Sequence, residues 1–275
     1  MFLSKIKKHL SLLTIRIKEK KTIQNISNEN ELYLNNILEA FLKTKKNQFS
    51  KNEILIFETC ELYRKSLLKD EKMISYKELG LEKNLSVKNI CKEAASSKIW
   101  CQFLFSLIQS VKKTQVLELG TNLGVSGTYI LNAIKDKEDG FFTTMEGVSE
   151  LCKMADKQLK KINQEKYHLI KGLYTETFPI LLKQKKKFNI VFIDGNHKKK
   201  PTLHYFYNLK QKLIYPTIII FDDINWNDEM IETWDIIKKD PNVIYSVDLF
   251  KLGVVILKKN IVKQKKHYNL HLTYS

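Results

Sequence analysis

Three short stretches of the chain carry residue types at spacings that can do chemistry. The first is Val116-Leu117-Glu118-Leu119-Gly120-Thr121-Asn122-Leu123-Gly124-Val125-Ser126-Gly127, an apolar run with a carboxylate that leads into a glycine-rich turn. Glycine at such a turn lets backbone approach a ligand that a Cβ would exclude, and a helix opening after it aims its first N–H groups at the same place. The other two are Phe192-Ile193-Asp194-Gly195-Asn196-His197 and Phe221-Asp222-Asp223-Ile224-Asn225-Trp226, each an apolar run that ends in acids. Three carboxylates brought together repel one another unless protonated or neutralised. An oxygen-rich cluster of this kind suits a hard divalent cation such as Mg²⁺ or Mn²⁺. His197, three residues past Asp194, is placed to serve as a general base. The plainer alternatives are acids that cap the following helices and a histidine on the surface.

These residues need a scaffold, and the pattern around them predicts one. From Gln115 onward, β-type runs alternate with helical segments: Gln115 to Leu119, Phe141 to Glu146, Tyr167 to Ile170, Phe188 to Ile193, Thr217 to Phe221, Val243 to Phe250 and Leu252 to Leu257. Strands alternating with helices imply right-handed crossovers and a mainly parallel sheet. The last two runs are joined too closely for a crossover helix, so they pair antiparallel as a hairpin. The expected fold class is therefore α/β, an open seven-stranded sheet whose ligands bind beyond the carboxyl ends of the strands. Ahead of it, apolar residues recur at helical spacing: Leu3, Ile6, Leu10, Leu13 and Ile17, then Leu34 to Leu67, then Trp100 to Ile108, with a polar linker expected over 21–30. The predicted division is a helical N-terminal extension, 1–86, a sheet domain, 87–260, and a basic tail, 261–275.

The spacing of the turn narrows the ligand. A dinucleotide fingerprint has Gly-x-Gly-x-x-Gly, whereas Gly120 and Gly124 give Gly-x-x-x-Gly beside the carboxylate of Glu118. A pyrophosphate has little use for that carboxylate. S-adenosylmethionine (SAM) carries an amino group and a sulfonium, and an acid near the turn attracts both. The next strand ends in Glu146, where a carboxylate can accept hydrogen bonds from two ribose hydroxyls. Glu-Leu-Gly-x-x-x-Gly-x-Ser resembles motif I of class I SAM-dependent methyltransferases, particularly the catechol-type branch, and the likeness extends over about Val87 to Leu257. The resemblance implies a Rossmann-like methyltransferase sheet. It implies that Glu118, Gly120, Asn122, Gly124, Ser126 and Asp194 surround SAM, that Glu146 holds the ribose, and that the loop from Gly172 to Tyr174 lies near the adenine.

The acidic strand ends resemble those of metal-dependent O-methyltransferases that act on catechols or on sugar hydroxyls of natural products. That likeness implies a divalent metal on Asp194, Asp222 and Asp223, with Asp194 and His197 as the catalytic pair. Asp222-Asp223 stands where the catechol enzymes have Asp-Asn, and the pattern is nearer the sugar-modifying branch. Tyr205 and Trp226 are the aromatic residues near these strand ends; packing accounts for them as well as a pocket wall does.

Composition bounds the partners. The 275 residues are 43% hydrophobic, ample for a core, and hold 47 Lys plus Arg against 30 Asp plus Glu, a formal charge of +17. That excess attracts anions, but it lies almost wholly in lysine runs such as Lys185 to Lys187 and Lys198 to Lys200, with Arg16 and Arg64 the only arginines. No Asn-Pro-Pro-Tyr-like motif or clustered arginine and aromatic surface is present, which disfavours a nucleic-acid methyltransferase. The expected reading is O-methylation of a hydroxyl on a small molecule or glycan; a non-catalytic SAM-fold binding module is the third alternative. Cys60, Cys91, Cys101 and Cys152 have neither zinc nor disulfide spacing, which points to a cytoplasmic location. The basic helix within 1–20 can rest on an anionic membrane surface or dock on protein, and an oligomer is compatible with everything above.

Overall fold

A computed structural model describes residues 2–260 and 264–273, with side chains described from residue 12 onward. The first half is helical: α1 (Phe2–Ser27), α2 (Leu32–Lys45) and α3 (Lys51–Leu67) precede a small antiparallel pair, β1 (Met73–Ser75) with β2 (Asn84–Ser86), then α4 (Val87–Ala94) and α5 (Lys98–Ser110). The expected linker at 21–30 is helical as far as Ser27, because its polar residues cover an inner stripe that includes Ile23 and Ile26. Between α2 and α3 the break is set by a capping box, in which Ser50 and Glu53 each bond the other's backbone N–H.

The second half alternates as predicted: β3 (Gln115–Leu119), α6 (Val125–Ile134), β4 (Phe141–Glu146), α7 (Ser149–Asn163), β5 (Tyr167–Lys171), α8 (Tyr174–Lys183), β6 (Phe188–Ile193), α9 (Lys199–Leu209), β7 (Leu213–Phe221), α10 (Asp228–Lys239), β8 (Val243–Asp248), β9 (Gly253–Leu257) and β10 (Lys266–Asn269). The sheet has eight strands rather than seven, in the order β10-β8-β9-β7-β6-β3-β4-β5. β9 runs antiparallel to both β7 and β8, as expected of the final hairpin. The eighth strand, β10, pairs parallel with β8 at the edge and lies in what reads as a basic tail. Its Lys-His-Tyr-Asn sequence has no apolar alternation because its residues are exposed or half-exposed, so burial leaves no signature in it.

Side chains alternate across each strand, and each face has its own core. Val116, Phe142, Ile190 and Ile218 pack with α5, α6 and the N-terminal helices, while Leu117, Leu119, Val191 and Ile219 pack with α8, α9 and α10. The first cluster includes Leu34, Ile37 and Phe41 of α2 and Phe57 of α3, so 1–86 shares its core with the sheet instead of hanging from it. Phe57 stacks on Tyr129 of α6 at 5.5 Å and meets Phe105 of α5 edge-on at 5.0 Å. Full burial of one such ring contributes roughly 2–3 kcal/mol. Lys137 closes α5 from outside, donating to the carbonyls of Ile108, Gln109 and Val111.

Of the basic amphipathic stripe, Leu3, Ile6 and Leu10 lie outside the described side chains. Leu13 and Ile17 are 52% and 83% exposed, and it is Leu12 and Ile26 that α1 buries. The four cysteines are free and buried, and no helix among the described residues is long and apolar enough to cross a membrane.

Candidate active site

The chain order reverses at β3: β4 and β5 lie on one side, β6 and β7 on the other. In open α/β sheets ligands bind in the crevice outside the carboxyl ends of the strands at such a switch point, and the predicted residues converge there. Glu118 is wholly buried within β3. It accepts hydrogen bonds from Ser126 Oγ at 2.6 Å and Thr144 Oγ1 at 2.7 Å. Burial raises its pKa to about 7, against the pull of those two hydroxyls. Glu146, at the end of β4, accepts from the backbone N–H of Asn122 at 2.8 Å on one oxygen and of Val148 at 2.9 Å on the other. Burial raises its pKa too.

The two glycines of the turn stand in close contacts within the chain itself. Gly120 has φ +114°, and a Cβ there would come within 2.3 Å of the Asp194 carbonyl oxygen. At Gly124, φ is +76° and a Cβ would meet the Ala155 Cβ at 2.9 Å. Both conformations disfavour L side chains, and both glycines let parts of this chain close on one another. Gly120 fits the turn against the β6 loop, and Gly124 seats α6 on α7. Gly172 follows β5, its N–H bonded to the Glu146 carbonyl at 2.9 Å. After it comes Tyr174, whose hydroxyl donates to the Met145 carbonyl at 2.9 Å and whose ring edge lies beside Gly195. This tyrosine sits among Glu118, Glu146 and Asp194, a placement that its loop sequence does not announce.

On the other side of β3 the acids gather. The Asp194 N–H bonds the Leu119 carbonyl at 2.9 Å and the Asp222 N–H bonds the Ile193 carbonyl at 3.0 Å, so the three strand ends form a staircase. The Asp194 carboxyl is hydrogen-bonded to Asp222, and burial together with that neighbouring charge raises its pKa well above the usual carboxylate range. His197 Nε2 lies 3.6 Å from Asp194 Oδ1 and 4.0 Å from Asp223 Oδ2. Ser96, from the loop between α4 and α5, places its hydroxyl 3.3 Å from Asp194 Oδ2. The Ser96 carbonyl is gripped by Arg64 Nη2 at 2.7 Å, so α3 braces the site from a part of the chain with no recognisable motif.

Asp194, His197 and Asp222 can each offer one ligand atom, all within 4.8 Å of one another. Asp222 and Asp223, the other expected metal ligands, hold a cation of the chain's own: Lys251 Nζ is 2.6 and 2.8 Å from the two Asp222 oxygens and 2.7 Å from Asp223 Oδ1. A divalent ion on this donor set would sit against that ammonium, and the two cations repel, so the set as arranged does not fit one. Sequence reasoning missed Lys251 because it lies in the β8–β9 turn, far from either acidic motif. Of the two aromatics, Tyr205 is 6% exposed and packs on Phe178 and Tyr174, whereas Trp226 is 70% exposed.

Residues 117–224, which span the turn, the crevice and the acidic strand ends, match the family model described as a methyltransferase domain. Over those residues the chain is similar to a methyltransferase domain. Solved structures bear the same fold. The O-methyltransferase TomG of Streptomyces achromogenes, involved in tomaymycin synthesis and solved with SAM, superposes with a TM-score of 0.51 at 17% identity, covering 60% of this chain and 82% of that one. An O-methyltransferase of Bacillus cereus, in complex with S-adenosylhomocysteine, gives 0.52 at 18%, covering 60% and 84%. The methyltransferase PaMTH1 of Podospora anserina, also bound to S-adenosylhomocysteine, gives 0.53 at 16%, covering 74% and 96%. At such identities the likeness establishes the class I methyltransferase fold. No curated protein matches the sequence significantly.

Proposed function

We propose that this methyltransferase domain binds SAM in the crevice above β3 and transfers its methyl group to a hydroxyl of a small molecule or glycan. The observation that carries the reading is the pair of buried carboxylates, Glu118 and Glu146, at the switch point. Their hydrogen-bond partners are hydroxyls and backbone amides, not cations. Two buried acids without a basic partner favour a positively charged ligand. Glu146 accepts from the backbone on both oxygens, and a carboxylate with about four lone-pair sites retains acceptor capacity for a ribose hydroxyl.

SAM, when bound, supplies an electrophilic methyl group and leaves as a neutral thioether once an oxygen nucleophile has taken it. The chain's part is to make that nucleophile. His197 takes the hydroxyl proton at Nε2, and the imidazolium that forms is stabilised by Asp194 and Asp223, 3.6 and 4.0 Å away.

Incubating the protein with methyl-labelled SAM and a panel of polyhydroxylated acceptors, alongside RNA and DNA, tests the reading. Label should enter a hydroxylated small molecule or glycan as a base-stable ether. Label in nucleic acid alone, or in nothing, overturns it.

A further inference from the structure

The acidic strand ends are built around an internal ammonium. Lys251 lies in the turn between β8 and β9, and its side chain is 15% exposed. An ammonium has three N–H donors, and this one has three carboxylate oxygens at 2.6, 2.7 and 2.8 Å. The turn itself is anchored. The Ile224 N–H bonds the Lys251 carbonyl at 3.1 Å, Asn225 Nδ2 bonds the Phe250 carbonyl at 2.7 Å, and Asp248 Oδ1 accepts the Phe250 N–H at 2.8 Å. Phe250 is held at φ +76°, an unusual conformation for a bulky residue. Such anchoring distinguishes Lys251 from the many surface lysines of this chain: its stem is committed to one place, beneath two acids of which Asp222 is 5% exposed.

We propose that Lys251 does the work of a divalent cation at this site. Its single charge neutralises part of the Asp222-Asp223 pair, fixes Asp222 against Asp194, and supplies positive potential beside the place where an acceptor oxygen loses its proton. A lysine can take this position because the ammonium is a compact point charge with three donors, while the tether removes any dependence on ion concentration. Lys251 is a positioning residue, acting through Asp222 and Asp223. The inference rests on the O-methyl transfer reading only for the nature of the acceptor oxygen; the cation assignment stands on the geometry alone.

The test is Mn²⁺ binding followed by electron paramagnetic resonance, where bound ion removes signal from the free-ion spectrum. Wild-type protein should leave the free Mn²⁺ signal undiminished across the micromolar range, and Lys251→Ala, which exposes the acids, should bind one Mn²⁺ at least roughly tenfold more tightly. Asp222→Asn in the Lys251→Ala background should abolish that binding. Tight Mn²⁺ binding by the wild type that Asp222→Asn removes would overturn the proposal. So would a folded Lys251→Ala protein, recognised by a single cooperative melting transition, that gains no Mn²⁺ site. If Lys251→Ala does not fold, Lys251→Met, which keeps the length of the stem without its charge, supplies the variant arm beside the wild-type titration. SAM titration of the wild type is run in parallel: failure there removes the methyl-transfer reading without touching the Mn²⁺ result.

Discussion

Ser126 Oγ donates a 2.6 Å hydrogen bond to Glu118 Oε1, tying the first turn of α6 to the interior of β3. Thr144 closes the other oxygen and is itself 2.5 Å from Thr121 Oγ1, so the carboxylate is enclosed by hydroxyls. Its pKa rises from 4.5 to about 7 through burial. Because the folded value lies above the unfolded one, the protonated form favours the fold, and that advantage is complete below pH 4.5 and lost as pH climbs through about 7. The loss is up to about 3 kcal/mol. Urea unfolding at pH 5 and pH 8 should show it in the wild type and show it flattened in Glu118→Gln, which keeps the shape without the charge. Parallel pH profiles for the two proteins would contradict the assignment.

The same carboxyl links pH to cofactor affinity. A cationic ligand beside Glu118 ionises it, so SAM should bind more tightly as pH rises from 6 to 8 and should release protons on binding at pH 6. Calorimetry in two buffers of different ionisation enthalpy measures that release directly. In Glu118→Gln both the pH dependence and the proton release should disappear.

Glu146 makes a separate prediction, since its two oxygens order the turn at Asn122 and the chain at Val148 before any ligand arrives. Glu146→Ala removes a charged acceptor worth about 1.5–3 kcal/mol per bond made to the ligand, so loss of even one such bond should lower SAM affinity roughly 10- to 100-fold. Glu146→Gln retains an acceptor oxygen and should recover part of it. Equal affinity in wild type and Glu146→Ala would move the ribose elsewhere.

Several of these positions were legible because their chemistry is local in sequence. A glycine turn after an apolar strand, or an acid at a strand end, carries its meaning within a few residues, and β3, β4 and β6 fall where alternation and turn residues put them. What escaped depends on partners far along the chain. Ser96 reaches Asp194 across 98 positions, and Lys251 reaches Asp222 across 29; nothing in either neighbourhood marks the partner. β10 escaped for another reason, being an exposed edge held by backbone bonding and by the buried Leu270 and Leu272 that follow it. In α1 the buried stripe is offset by one residue from the conspicuous one, because Leu12 and Leu13 are adjacent and only packing chooses between them.

Bracing by α3 should be measurable. Arg64 bonds both Glu61 oxygens at 3.0 and 3.1 Å as well as the Ser96 carbonyl, and Glu61 in turn accepts from Tyr129 at 2.8 Å. Removing one partner of a largely buried ion pair leaves a charge uncompensated, so Arg64→Ala should destabilise the fold by about 3 kcal/mol. Arg64→Lys keeps the charge but loses the fork and should fall between. A thermal melt of the three proteins checks the order; an unchanged melt in Arg64→Ala would show that α3 does not brace this loop.

His197 is the residue whose loss should separate chemistry from binding. It lies on the rim at 31% side-chain exposure, between Asp194 and Asp223. A general base contributes about 10²- to 10⁴-fold to rate, whereas a surface histidine contributes nothing. His197→Gln should therefore lower kcat by at least about 100-fold with SAM affinity unchanged, and the loss should shrink as pH rises, because hydroxide then competes for the acceptor proton. A loss of rate that is independent of pH would mean that His197 positions the acceptor without taking its proton. An unchanged rate would take His197 out of the proton transfer and return the base to Asp194.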